Sequence, residues 1–222
     1  MAQAPRINSS SAAISDDPLE NATVWAQSNT KPILIGLAGA AVIALGIFGY
    51  RYFSAEKIEK SSTALYQAQG PLLEGKLPEA QTALQRVATQ YSGTAAGQQA
   101  NLLLAQVLYD QKQYQGGVDM LNKARGSASR ENQASFDAMI ASGYEGMGNL
   151  DKAAEAYGKA AASAINNQER EKHLLSQGRS LMLAGKTAEA KKIFDGLIVD
   201  NTSAVAQEAR VRLGEIAGSS VK

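Results

Sequence analysis

The sequence contains no cysteine, a single histidine, one tryptophan and five prolines, and aromatic residues make up only 6% of its 222 positions. Without cysteine there is no disulfide, no thiolate nucleophile, no cysteine zinc site and no lipid-modified cysteine to act as an anchor. That lack suits an oxidising or a reducing compartment equally, so it locates nothing. With His173 as the one histidine, a metal site would have to rest on carboxylates, and no Asp-x-Asp-x-Asp loop of the calcium-binding kind is present. His173 belongs to a charged helix start, Gln168 to His173, where a solvated side chain is expected. The formal charge is +1 and basic residues are interspersed with acidic ones, so no stripe for nucleic acid is formed. Scarce proline combined with abundant Ala, Leu, Gln, Glu and Lys favours helices, because straight-chain residues lose little rotamer freedom there.

Motifs for catalysis fail on spacing. Gly185-Lys186-Thr187 resembles the end of a phosphate-binding loop, but Ser180 stands where the first glycine should be and no strand precedes it. Gly143, Gly146 and Gly148 are in the wrong order for a dinucleotide fingerprint. No serine has a convincing base. The expectation is a protein that is not an enzyme, with no catalytic residue, cofactor, metal or small-molecule substrate.

One long apolar run is present. No charged residue occurs from Pro32 to Tyr50, between Lys31 and Arg51. At ~1.5 Å per residue this run covers roughly 28 Å of helix, near the hydrocarbon thickness of a bilayer. Ile33, Leu34, Ile35, Leu37, Val42, Ile43, Leu45, Ile47 and Phe48 cover the whole circumference, where a core helix would keep a polar face. The reading is a transmembrane helix over 32–53, a juxtamembrane helix or linker over 54–60, and a preceding tail over 1–31. The mixed, acidic tail is unlike the short basic start of a cleaved signal peptide, so the helix is expected to persist as an anchor. Residues 1–17 read as disordered and 18–28 as a short helix with Trp25 near the headgroups. Gly36, Ala40 and Ala44 recur every fourth residue, a small-residue stripe on which another transmembrane helix can pack closely. Tyr50, Tyr52 and Phe53 beside Arg51 form an interfacial belt. Arg51, Lys57 and Lys60 follow the run while only Lys31 precedes it, so charge alone favours a cytoplasmic C-terminal part.

The rest of the chain repeats. Gly75-Lys76-Leu77-Pro78-Glu79-Ala80, Gly148-Asn149-Leu150-Asp151-Lys152-Ala153 and Gly185-Lys186-Thr187-Ala188-Glu189-Ala190 read almost alike, and Lys112 to Gly117 fills the gap between them. Their last residues, Ala80, Gly117, Ala153 and Ala190, lie 37, 36 and 37 residues apart. This is in the range of helical-repeat periods and somewhat longer than the usual period, about 34, of the tetratricopeptide (TPR) repeat, whose pattern wants a small residue where paired helices cross and bulky residues between pairs. Leu104, Ala105 and Leu108, then Ile140, Ala141 and Tyr144, then Leu174, Gly178 and Leu181 supply the first-helix pattern. Repeats over 61–94, 98–131, 134–167 and 171–204 follow, in a domain over 61–222 whose residues 205–217 form a capping helix. Pro71 should kink or end the first helix near Gly70, and the long period implies lengthened turns around Ser127 to Arg130 and Asn166 to Gln168. The fold expected is thus all-α: one transmembrane helix, then a TPR-like α-solenoid of about four helix pairs and a cap.

In such a solenoid the first helices line the concave face. The partner-binding stripe expected there is Leu102, Gln106 and Tyr109, then Ala138, Ser142 and Glu145, then Leu175, Arg179 and Met182, with Tyr109 and Arg179 as its anchors. Lys123 and Lys159 should face outward on second helices.

A short polar tail, one anchor, the Tyr50-Arg51-Tyr52-Phe53 exit, the Ala-rich helix Gln99 to Ala105 and four divergent repeats together resemble the bacterial ancillary Sec-translocon subunit family typified by YfgM. The resemblance implies a non-catalytic inner-membrane protein whose N-terminal tail is cytoplasmic and whose repeats are periplasmic, against the charge count. It implies partners among translocon subunits, a membrane-anchored chaperone and exported clients. A permanent structural or assembly subunit of another membrane complex is the alternative.

Overall fold

The computed structural model describes residues 18–199 and 203–219, so the expectation for residues 1–17 lies outside the described residues. All of its regular structure is helical. In chain order the helices are α1 (Pro18–Ser28), α2 (Thr30–Leu73), α3 (Leu77–Gln90), α4 (Ala95–Asp110), α5 (Tyr114–Arg125), α6 (Arg130–Gly146), α7 (Leu150–Ser163), α8 (Asn167–Leu183), α9 (Thr187–Leu197) and α10 (Ala204–Ser219). Contacts divide the chain into two units, with the division between Ser54 and Ala55.

The first unit holds α1 and the apolar part of α2. Here the large apolar side chains are outside: Leu34, Ile35, Leu37, Val42, Ile43, Leu45, Ile47 and Phe48 are all more than half exposed. This is one helix long and apolar enough to cross a membrane, and none of its apolar window is buried. Gly36, Ala40 and Ala44 are exposed along it, and a Cβ added at Gly36 would meet nothing within 4 Å.

In the second unit the end of α2 shares a core cluster with α3 and α4, α4 packs on α5, α6 on α7 and α8 on α9, and α10 packs on α9 and α8. The sequence motif marking each repeat is a helix-ending turn. Gly75, Lys112, Gly148 and Gly185 have φ of +73°, +60°, +73° and +79°. Each donates its N–H to the carbonyl three residues back, and the next residue donates to the carbonyl five back, as in Lys76 to Pro71 (2.8 Å), Gln113 to Leu108 (2.7 Å), Asn149 to Tyr144 (2.9 Å) and Lys186 to Leu181 (2.9 Å). This is the Schellman arrangement, which satisfies the last carbonyls of a helix and needs a left-handed residue. Glycine takes that conformation freely; Lys112 adopts it at a steric cost.

The small residues sit at crossings. Ala80, Gly117, Ala153 and Ala190 are buried, as are Ala68, Ala105, Ala141 and Gly178 on the first helices. A Cβ on Gly178 would lie 2.4 Å from the Phe194 ring, so the bulk of Phe194 is matched by the missing side chain opposite. The core runs through the stack in three clusters, centred on Leu84 and Leu104, on Leu121 and Phe136, and on Phe194 with Leu181 and Ile216 of α10.

Two turn expectations are modified. Pro71 does not end α2 at Gly70: the helix carries on to Leu73, with Pro71 in its last turn, and Glu74 N donates to Gly70 O at 3.2 Å. In the Asn166 to Gln168 stretch the helix already begins at Asn167, because Asn166 caps it by accepting a hydrogen bond from Glu169 N (2.8 Å). The turn from Gly126 to Ser129 is open and is tied down by Gln98, whose Oε1 accepts from Ser129 N (3.1 Å) and Asn132 Nδ2 (2.7 Å).

Candidate protein-docking surface

Each of α4, α6 and α8 is enclosed by its own second helix and the preceding one, and α4 also approaches α6, as α8 approaches α10. Only a narrow strip of each therefore remains open. The nine stripe residues divide accordingly. Gln106, Ser142 and Arg179 are exposed; Leu102, Ala138, Glu145 and Met182 are half-buried; Tyr109 and Leu175 are buried. Gln106, Ser142 and Arg179 are one repeat period apart, at intervals of 36 and 37 residues, and Gln69 stands 37 before Gln106. The accessible surface is thus one residue wide per unit where the sequence suggested three.

Tyr109 is not available as a surface anchor. It is 6% exposed, its hydroxyl donates to Met139 O (3.0 Å), and its ring and hydroxyl fill the space left by Gly117 and Gly143, where an added Cβ would come within 2.4 Å of it. Burial raises its phenol pKa above the ordinary value. Glu145 is engaged as well. Its Oε1 accepts from Ser180 Oγ (2.8 Å) and its Oε2 from Tyr157 OH (3.0 Å), so it fastens α6 to α7 and α8. Desolvation, and then the neighbouring Glu145 carboxylate, raise the Tyr157 pKa. Leu102 packs on the second core cluster, and Leu175 and Met182 belong with the third.

The three exposed positions differ chemically. Gln106 Nε2 donates to Asp110 Oδ1 (2.8 Å), while the Arg179 guanidinium stands 4.0 Å from Glu208, which also pairs with Arg212 at 3.2 Å. Such exposed pairs are worth little and exchange readily for a partner's groups. A charge-free cleft of about 400 Å³ accompanies the strip at its first unit, lined by Ser62, Leu65, Tyr66, Gln69, Ala95, Ala96, Gln99 and Asn132. Tyr66 is 80% exposed there, the kind of aromatic that sequence reasoning assigned to Tyr109. The repeat register, which places Gln69 one period before Gln106, is the sequence signal that points to it.

Lys123 and Lys159 are exposed on second helices, and Lys159 pairs with Glu155 at 2.7 Å. Among the described residues no cluster of three or more His, Cys, Asp or Glu side chains is placed to hold a metal ion.

A family model for the tetratricopeptide repeat-like domain matches residues 24–196, taking in the apolar run as well as the helix pairs. The chain belongs to this family. A search of curated proteins found no match. Among solved structures, the chain is similar to kinesin-light-chain TPR-like repeats from Podosopora anserina, at 15% identity and a TM-score of 0.54 over 72% of this chain and 94% of that one. It is also similar to a tetratricopeptide repeat protein from Parabacteroides merdae, at 17% identity and a TM-score of 0.57 over 72% of this chain and 61% of that one. At such identities the likeness is one of fold, and a TPR-like stack is a protein-interaction scaffold.

Proposed function

We propose that this protein is a scaffold anchored in the bacterial inner membrane, with its N-terminal tail in the cytoplasm and its repeats in the periplasm, where it assists newly exported proteins. Its partners are translocon subunits, a membrane-anchored chaperone and the exported clients. Residues 32–53 are the anchor, residues 54–60 the linker and residues 61–222 the docking domain. One observation carries the reading: α2 bears an apolar surface that nothing among the described residues buries, and the chain then continues into a TPR-like stack. In water that surface is unfavourable by roughly 25 cal/mol per Å², and a lipid environment relieves it. The exposed row Gln106, Ser142 and Arg179, extended by the half-buried Gln69, offers amide, hydroxyl and guanidinium groups in succession, which suits extended segments of varied sequence. Gly36, Ala40 and Ala44 give the anchor a face for a neighbouring transmembrane helix.

Two experiments test it. Protease added to intact spheroplasts should degrade the repeats; protection until lysis would put them in the cytoplasm, as the charge count favours. Purification in mild detergent should recover Sec components and a membrane-anchored chaperone; a different complex at fixed stoichiometry would instead make the protein a structural subunit.

A further inference from the structure

A cleft of about 510 Å³ opens on the second-helix side of the stack, between α5 and α7, with α6 as its floor. It exists because one side chain is small. Met120 of α5 packs against the first two core clusters, and Ile193 of α9 packs against the third. The residue between them in the repeat register, 36 after Met120 and 37 before Ile193, is Ala156 of α7. The side chain that covers this place in the neighbouring units is therefore missing, and the half-buried Tyr144, with Ile140 and Ala156 buried beside it, forms an apolar floor.

The charges around that floor do not cancel. Arg125, Lys152 and Lys159 face Asp137 and Glu155, and both carboxylates are engaged within the protein. Asp137 accepts from Arg125 Nε and from Arg125 Nη2 (2.8 Å), and Glu155 pairs with Lys159 at 2.7 Å. Arg125 is held rigidly with Nη1 in reserve, and Lys152 stands over the Tyr144 ring at 5.5 Å with no carboxylate within ion-pair distance among the described residues. What the cleft has left to offer is N–H donors and positive charge beside an apolar floor. A guanidinium fixed in this way recognises a carboxylate at little further entropic cost.

We propose that this cleft is a second docking site, taking from a protein partner an Asp or Glu side chain that is presented next to an apolar residue. The carboxylate sits between Arg125 Nη1 and Lys152, and the apolar side chain fills the place that Ala156 leaves. The site is independent of the first-helix row, so its failure would leave the function proposed above standing.

The test is a chemical-shift titration of the detergent-solubilised full chain with the peptide acetyl-Leu-Glu-Phe-amide, its Gln counterpart, and sodium acetate. The Glu peptide should produce saturable shifts at Ile140, Tyr144 and Lys152, and the Gln peptide should bind at least about tenfold more weakly. Lys152→Glu and Ala156→Met should each weaken the Glu peptide by about tenfold or more, one through charge and the other by filling the floor, while Gln106→Ala leaves it unchanged. Equal binding of the Glu and Gln peptides, or no saturable shift, would overturn the proposal. Acetate binding as tightly as the peptide would reduce the site to a bare carboxylate site and overturn the protein partner.

Discussion

The joint between the second and third repeats and the joint between the third and fourth are built from the same register with opposite chemistry. At the first, Arg125 ends α5 and holds Asp137 of α6, whose side chain is only 3% exposed. One period on, the same two places are taken by Ala161 and Leu174, both apolar. The family pattern therefore fixes helix crossings through its small residues and leaves the flanks of each joint to vary. An ion pair there adds little net stability over an apolar pair, because desolvation offsets most of the attraction, but it makes the joint intolerant of losing either member.

The largest effect expected follows directly. Arg125→Ala leaves Asp137 buried without its partner and should cost about 3 kcal/mol, the low end for such a loss because Arg125 is itself 38% exposed. The double variant Arg125→Ala with Asp137→Leu copies the next joint and should recover all but about 1 kcal/mol, as read by urea denaturation. A double variant no better than the single would mean that the two joints are not equivalent.

Next in size is the crossing itself. Gly178→Ala drives a methyl into the Phe194 ring and should cost about 1–3 kcal/mol. The corresponding residue of α10 is Gly214, where an added Cβ meets nothing within 4 Å because no second helix crosses it among the described residues. Gly214→Ala should therefore be neutral or gain about 0.5–1 kcal/mol through helix propensity. A loss at Gly214 as large as that at Gly178 would contradict the placement of α10 as a first helix without a mate.

The turns give a smaller contrast. Gly148→Ala places a Cβ at φ +73° and should lower stability by about 1–2 kcal/mol without altering helix content by circular dichroism. The smallest contrast concerns pH at His173, on α8 beside the apolar joint. His173 has its pKa lowered chiefly by burial, with Glu169 and, more weakly, Asp137 opposing and Lys172 adding to the shift. Its folded form prefers the neutral ring, so the unfolded chain takes up the proton first. The stability held above the unfolded value of about 6.5 is then lost as pH falls below it toward the folded value. Wild type should weaken over that window relative to His173→Gln; identical pH profiles would mean that the ring is solvated, as the charged sequence around it suggests.

Much of this architecture is legible in the sequence, because the repeated turn encodes a backbone requirement. Gly75, Gly148 and Gly185 announce left-handed residues, and the alanines five residues on announce close crossings. The candidate surface is less legible. Helical periodicity identifies a face, but the number of neighbours packed around a helix decides how much of that face stays open, and this emerges only once the pairs are stacked. Tyrosine is common at interfaces, which makes Tyr109 an expected anchor; Gly117 and Gly143, 8 and 34 residues further on, make room for it in the core. Glu145 falls in the expected stripe by periodicity, and Ser180, which engages it, lies 35 residues away.

The central claim is that the open row of the first helices docks other proteins while the chain is anchored in the membrane. Photo-crosslinking groups at Gln106 and Arg179 in membrane-embedded full-length protein test it most directly, with the exposed Lys191 of α9 as the control. The account predicts discrete adducts with translocon or chaperone subunits from Gln106 and Arg179 and none from Lys191. Equal adducts from all three positions, or adducts from Lys191 alone, would contradict it.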